Sequence, residues 1–130
     1  MSRENVEICR GNLDAGRRGD WDVIAATLDP NTLVRTDPSW PESCIFGREA
    51  VIGWYQGLTE AAGSDFTCEE ITDLGDRLLA RERWSLRGKQ SGVEGHQRST
   101  AIVTFRAGRI ILVEYFLDHE QALKAVGLEE

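Results

Sequence analysis

Residues 76–117 read DRLLARERWSLRGKQSGVEGHQRSTAIVTFRAGRIILVEYFL, and this stretch decides the fold. From Arg77 to Arg87, apolar and polar residues alternate with the period of a half-buried β-strand. The alternation resumes after a glycine-containing turn at residues 88–92, and Ala107-Gly108 turns the chain into a third run. The stretch therefore predicts two successive hairpins in a bent, mostly antiparallel sheet.

Alternation also predicts which side chains share a face of this sheet. The apolar face is expected to carry Leu78, Ala80, Trp84, Leu86, Ser99, Ala101, Val103 and Phe105, and on the last strand Ile111, Val113, Tyr115 and Leu117. The opposite face is expected to carry Arg81, Arg83, Arg98, Thr100, Ile102, Ile110, Leu112, Glu114 and Phe116. Amphipathic helices should cover the apolar face.

Glu82 is the one charged residue on the apolar face of the first run. A buried, unpaired carboxylate is disfavoured, so the pKa of Glu82 would rise toward the range useful for acid–base catalysis. Two alternatives stay open. If Glu82 pairs with an arginine inside the domain, its role is purely structural. If the strand register slips by one residue at the 88–92 turn, Arg81 and Arg83 point inward and Glu82 lies outside.

The length and net charge of the chain limit the number of domains and the kinds of partner that can be expected. The chain has 130 residues and 41% hydrophobic content, which fits a single domain over residues 1–130. Its net charge of −7 disfavours nucleic acids and anionic membranes as partners, and no apolar run approaches the length of a membrane span. Three cysteines at irregular spacing fit free thiols rather than disulfides or a metal site, so a cytoplasmic location is expected.

Helices precede most of the strands. The pattern predicts a first helix stopped at Gly19, and a second that Asp20 caps, that includes Leu28 and that ends at Asp29-Pro30. A third helix from Gly47 to Gly63 has an apolar stripe at Val51, Trp54, Tyr55 and Leu58, and a last one runs from Asp118 to Val126. Short strands are expected at residues 32–36 and 66–74, around an irregular segment at 37–43. This order indicates an α+β fold.

Several local strings resemble the nuclear transport factor 2-like superfamily, in its SnoaL-like and ketosteroid-isomerase-like branch. They are Arg18-Gly19-Asp20-Trp21-Asp22, Leu28-Asp29-Pro30, Phe46-Gly47-Arg48-Glu49-Ala50-Val51, Ser91-Gly92-Val93-Glu94, Phe105-Arg106-Ala107-Gly108-Arg109-Ile110 and Asp118-His119-Glu120-Gln121-Ala122-Leu123. The resemblance spans essentially the whole chain. It implies a cone-shaped, cystatin-like α+β domain whose bent sheet and helices enclose a pocket for a small molecule.

The resemblance also implies site positions. Asp37-Pro38 stands where ketosteroid-isomerase-like members carry a general-base aspartate, although an aspartate before proline equally starts a turn. Asn12 and Ala101 stand where such members carry the donors that stabilise an enolate. Alanine supplies no donor, so steroid isomerisation itself is disfavoured. Replacing Asp37 by asparagine is expected to abolish turnover and to leave folding nearly unchanged.

The remaining predicted site residues would line the pocket. Tyr115 adds a hydroxyl as a third catalytic candidate, and the predicted substrate-binding residues are Asn12, Trp40, Trp54, Tyr55, Trp84, Ala101, Val103 and Val113. His96 and His119 lack partners at metal-ligand spacing, and there is no phosphate or dinucleotide motif, so neither a metal nor another cofactor is predicted.

Two function hypotheses follow. The first is a cofactor-free isomerase, cyclase or hydrolase acting on a small apolar or polyketide-like substrate, and the second is a binding or accessory protein without turnover. A homodimer through the outer sheet face is also expected, because no helix is predicted to cover that face.

Overall fold

The computed structural model describes residues 2–40, 43–62, 66–87 and 94–128. In chain order, the elements of these ranges are α1 (Ser2–Arg18), α2 (Trp21–Thr27), β1 (Leu28–Arg35), β2 (Cys44–Phe46), α3 (Arg48–Ala62), β3 (Phe66–Asp73), β4 (Arg77–Arg87), β5 (Glu94–Arg106), β6 (Arg109–Phe116) and α4 (His119–Ala125). No helix within the described ranges has both the length and the apolar character needed to cross a membrane.

The six strands form one open sheet in the order β2-β1-β6-β5-β4-β3. The predicted hairpins β4–β5 and β5–β6 are antiparallel, and only β1 and β6 pair in parallel among the strand pairs described. Four helices accompany the sheet, so the predicted α+β fold is confirmed. The parallel pairing places β1, the first strand, beside β6, the last strand, in the middle of the sheet.

The inner face of the sheet, which carries Ala80, Val103 and Val113, packs against α1, α2 and α3 in the main hydrophobic core. Trp54 and Leu58 of α3 belong to this core. The apolar stripe of the third helix therefore meets the sheet on the predicted side.

The fourth helix lies on the opposite, outer face. Ala122 of α4 packs with Leu79 and Ile102 in a second apolar cluster, where Ile102 is 1% exposed. Asp118 caps α4 as predicted, because its carboxylate accepts a hydrogen bond from the Glu120 amide at 2.9 Å. The expectation that no helix covers the outer face is therefore wrong over the β4–β5 part of the sheet.

Several local expectations are also corrected. The second helix ends at Thr27 rather than at Asp29, because Leu28 already pairs with Ile110 in the sheet. Pro30, which has no backbone N–H to donate, lies where the β1–β6 pairing is irregular, between Leu28 and Leu33. Asp20 precedes α2, but its side chain makes no capping hydrogen bond. The short strand β2 was not predicted.

A register shift corrects the predicted faces of the last strand. Thr104 pairs with Leu112 and Phe105 with Ile110, so Ile111 is left as the extra residue of a bulge. As a result Ile110, rather than Ile111, lies in the inner core together with Val113.

Candidate functional site

A cavity of about 100 Å³, here called the inner cavity, lies between the inner face of the sheet and α1 to α3. Its helical wall consists of Cys9, Asn12, Leu13, Gly16, Trp21, Ile24, Tyr55 and Thr59. Its sheet wall consists of Leu28, Ile71, Ala80, Glu82, Val103, Ile110, Val113 and Tyr115. Most of these side chains are apolar, so the few polar groups are the ones that orient a ligand.

The lining residues of each helix and strand follow the side-chain periodicity of that element. On α1 the lining residues Cys9, Asn12, Leu13 and Gly16 follow the spacing of one helical face, and on α3 the pair Tyr55 and Thr59 is four residues apart. On β4 the lining residues Ala80 and Glu82 are two apart, as one face of a strand requires.

Glu82 is the only carboxylate among the described residues of the cavity wall, and its side chain is buried at 6% exposure. The β4–β5 register pairs it with Ser99, which settles the hairpin register with Glu82 inside. Among the side chains that the structure describes, none forms a hydrogen bond or an ion pair with Glu82. Burial raises the pKa of Glu82 from its usual value of 4.5 to about 7.

Two tyrosine hydroxyls form the second polar feature of the cavity. The Tyr55 and Tyr115 oxygens are 2.6 Å apart, which is hydrogen-bond distance. Burial raises the pKa of both phenols, and the nearby Glu82 adds to the effect. Both tyrosines are therefore neutral at physiological pH and able to donate hydrogen bonds.

The rings of two tryptophans pack against this tyrosine pair. The Trp40 and Trp54 rings lie 5.7 and 5.8 Å from the Tyr115 ring, between centroids, and Trp54 lies 5.0 Å from Tyr55. Such tilted contacts limit the movement of the phenol rings. The two tryptophans thus position the hydroxyls without lining the inner cavity themselves.

Cys9 is the thiol of the cavity. Burial, followed by the proximity of Glu82, raises its pKa to about 12. Because the thiolate is the nucleophilic form of cysteine, Cys9 is a protonated wall residue rather than a nucleophile.

Asp37 lies outside the inner cavity, in the segment after β1. Its carboxylate accepts hydrogen bonds from the Ser39 amide at 3.0 Å, the Ser39 hydroxyl at 2.7 Å and the Leu117 amide at 2.9 Å. Burial opposes ionisation, but the three hydrogen bonds outweigh it and lower the pKa of Asp37. These hydrogen bonds stabilise the turn after β1 and connect it to the end of β6, and the catalytic role of Asp37 stays a prediction.

The other predicted site residues divide into two groups. Asn12, Val103 and Val113 line the inner cavity, although the Asn12 amide already donates to the Thr27 hydroxyl at 2.8 Å. Ala101 is buried in the core but does not line the inner cavity, and the Trp84 side chain lies outside the described part of the structure.

Sequence reasoning missed much of the helical wall. Leu13, Gly16 and Thr59 were not nominated, although each stands three or four residues from a nominated lining residue or from Cys9 on the same helix. That spacing was the available signal. Trp21 also lines the cavity without having been predicted as a site residue, and nothing in the local sequence indicates that the start of α2 reaches the cavity.

Comparison with known proteins places this geometry in a family. The SnoaL-like domain family matches residues 10–113, whereas no curated protein matches the chain. Three solved structures illustrate the likeness. A candidate SnoaL-like polyketide cyclase from Jannaschia sp. CCS1 has a TM-score of 0.77 at 20% identity, covering 100% of this chain and 96% of its own.

A candidate polyketide cyclase from Sinorhizobium meliloti has a TM-score of 0.66 at 27% identity and covers 85% of this chain and 94% of its own. TerC, co-crystallised with polyporic acid, has a TM-score of 0.74 at 14% identity and covers 95% of this chain and 98% of its own. TM-scores of 0.66 to 0.77 show that these structures share the overall fold of the chain. By the extent of the family match, the chain belongs to the SnoaL-like domain family of the nuclear transport factor 2-like superfamily.

Proposed function

We propose that the chain binds a small, mainly apolar molecule in the inner cavity and performs cofactor-free acid–base chemistry on it. The observation that carries this proposal is Glu82, a carboxyl group buried in an apolar cavity with a pKa of about 7. A general acid or base is most effective when its pKa lies near the working pH. Glu82 meets that condition, and Asp37 does not.

In the proposed reaction, Glu82 accepts a proton from the carbon beside a ligand carbonyl group. The negative charge that develops on the carbonyl oxygen is stabilised by a hydrogen bond from the Tyr55–Tyr115 pair. The two hydroxyl oxygens lie 2.6 Å apart in the cavity wall, and both phenols are protonated at physiological pH. Glu82 then returns the proton to the ligand, so the carboxylate is regenerated without a cofactor.

The cavity volume supports a ligand of about one ring. An apolar cavity of about 150 Å³ is large enough for benzene, whereas drug-sized ligands occupy about 300 to 1,000 Å³. The volume of the inner cavity, about 100 Å³, is much closer to that of the benzene-binding cavity than to that of a drug-sized site. The likeness to candidate polyketide cyclases and to the complex with polyporic acid supports an oxygenated, ring-containing ligand.

The test is hydrogen–deuterium exchange next to the carbonyl group of cyclopentanone and cyclohexanone in D₂O, followed by ¹H NMR. Wild-type protein should accelerate exchange above buffer for at least one ketone, and Glu82→Gln should lower that acceleration by about 100-fold or more. Glu70→Gln, at an exposed glutamate of β3, is the matched control and should retain full activity. Equal rates for Glu82→Gln and wild type would remove Glu82 as the base.

The alternative function, ligand binding without turnover, has its own supporting observation. The two positions where the family resemblance implied oxyanion donors contribute little, because Ala101 has no donor and the Asn12 amide is engaged with Thr27. The same experiment separates the two functions. Ketones that raise thermal stability but show no accelerated exchange would favour a binding protein.

We further propose a homodimer through the part of the outer sheet face that α4 leaves uncovered. There Phe46, Leu33 and Leu112 are successive cross-strand partners on β2, β1 and β6, and Phe46 is 66% exposed. Arg35 and Glu114, 3.8 Å apart, flank this apolar row with opposite charges, which suits a two-fold interface.

Sedimentation at micromolar concentration tests the dimer. Wild type should sediment as a dimer and Leu112→Asp as a monomer of 14.5 kDa. A monomeric wild type would contradict the proposal, and a dimer that survives Leu112→Asp would place the interface elsewhere.

A further inference from the structure

The inner cavity contains an acidic group that has no counter-ion among the described residues. Glu82 is 6% exposed and lies in the cavity wall, and no described side chain forms a hydrogen bond or an ion pair with it. The wall residues within the described ranges include no arginine, lysine or histidine. Because buried carboxylates are normally paired, Glu82 is a group to which a ligand can supply the missing partner.

The titratable groups beside Glu82 come from four elements, and none of them is a cation. They are Cys9 of α1, Tyr55 of α3, Cys68 of β3 and Tyr115 of β6. Burial raises the pKa of each of them, and the proximity of Glu82 raises it further. The side chains with which α2 lines the cavity are uncharged. Near neutral pH, the charge of the cavity therefore depends on Glu82.

A cation in the cavity would pair with Glu82 at a reduced cost. In most buried ion pairs both groups lose their hydration, and this loss can exceed the attraction between them. Glu82 is already buried in the free protein, so only the incoming cation loses hydration when it binds. The attraction between opposite charges is also stronger in a protein interior than in water.

The chemistry of the wall favours an organic ammonium ion over a metal ion. No cluster of three or more potential metal ligands occurs among the residues that the structure describes. An ammonium group carries three N–H donors, and the phenol oxygens of Tyr55 and Tyr115 lie in the same wall as the Glu82 carboxylate. The aromatic rings of these tyrosines and of Trp21 add a favourable surface for a cation.

We infer that the inner cavity binds a small cyclic ammonium ion, with its charged group on the Glu82 carboxylate and its ring against the apolar wall. The net charge of −7 favours the approach of a cation, and a cavity of about 100 Å³ suits an amine of about six non-hydrogen atoms. The inference shares the cavity with the proposed function. It adds a ligand class and requires no turnover.

The test compares cyclopentylamine, which is protonated at pH 8, with the uncharged cyclopentanol, which has the same size, by isothermal titration calorimetry. Wild type at pH 8 should bind the amine about tenfold or more tightly than the alcohol, as expected for a charge-assisted hydrogen bond. Amine affinity should fall about tenfold from pH 8 to pH 6, because Glu82, whose pKa is about 7, is mostly protonated at pH 6. Alcohol affinity should not fall.

Glu82→Gln should bind the amine no more tightly than the alcohol at either pH. Its retained affinity for cyclopentanol would show that the cavity of the variant is intact. Glu70→Gln, at the exposed glutamate of β3, is the matched control and should keep the wild-type preference for the amine.

The inference is overturned if wild type does not prefer the amine at pH 8, or if neither probe binds. It is also overturned if the preference is unchanged at pH 6 or survives in Glu82→Gln. Ketone exchange tests the proposed catalysis separately. Exchange without amine binding would contradict only this inference, whereas amine binding without exchange would contradict only the catalysis.

Discussion

The inner cavity around Glu82 and the segment around Asp37 place the same chemical group in opposite environments. Glu82 lies in a mainly apolar cavity and forms no hydrogen bond with a described side chain, so burial raises its pKa to about 7. Asp37 accepts three hydrogen bonds, and they lower its pKa. The comparison shows that the pKa of a carboxyl group depends on its hydrogen-bond donors and its solvation rather than on the sequence motif that contains it.

Among substitutions at these two carboxylates, the largest effect is expected on the pH dependence of stability. Because the pKa of Glu82 is higher in the folded state, folding binds a proton between pH 4.5 and about 7, and stability falls as the pH rises through that window. The full loss is about 3 kcal/mol and persists above pH 7. Glu82→Gln should therefore match wild type at pH 4.5 and be more stable by about 3 kcal/mol at pH 8, measured by urea unfolding.

The control for this measurement is the exposed Glu70→Gln, whose difference from wild type should stay the same at both pH values. A Glu82→Gln variant that is less stable than wild type at pH 8 would mean that the ionised carboxylate has a partner in the folded state. Glu82 would then be a structural residue.

A smaller effect is expected at Asp37. Asp37→Ala leaves the Leu117 amide without its acceptor and should lower the free energy of unfolding by about 1 to 2 kcal/mol at pH 7. Since the pKa of Asp37 is lowered on folding, the part of this contribution that depends on its charge is present above pH 3.8 and lost as the pH falls further. Urea unfolding at pH 7 and at pH 3 measures both parts.

Activity of Asp37→Asn distinguishes the roles of the two carboxylates. The structure now predicts retained ketone exchange with slightly reduced stability, the reverse of the expectation from the family resemblance. Loss of exchange in Asp37→Asn, with normal exchange in Glu82→Gln, would restore Asp37 as the base.

The smallest effect is expected in the tyrosine pair. Tyr55→Phe removes the hydrogen bond to Tyr115 and should cost about 1 kcal/mol of stability. Tyr115→Phe should act similarly, and a double-mutant cycle should give a coupling energy of about 1 kcal/mol between the hydroxyls. Independent effects of the two substitutions would show that the 2.6 Å contact does not stabilise the fold.

Some features followed from local sequence. Period-2 alternation placed Glu82 on the inner face, and the apolar stripe placed Trp54 and Leu58 against the sheet, because side-chain direction in strands and helices depends on local geometry. Other features did not. The bulge that turns Ile110 inward depends on pairing between strands, which no single strand encodes.

Periodicity and short motifs along the chain were sufficient to indicate the α+β class, the family and the off-pattern glutamate. They did not indicate that Asp37 accepts a hydrogen bond from the amide of Leu117, 80 residues away, or that Tyr55 and Tyr115 form a pair in the same cavity as Glu82. Only the tertiary structure decided that α4 covers part of the outer face. The physical reason is that pKa values, hydrogen-bond partners and cavities arise from groups distant in sequence, which become neighbours only when the chain folds.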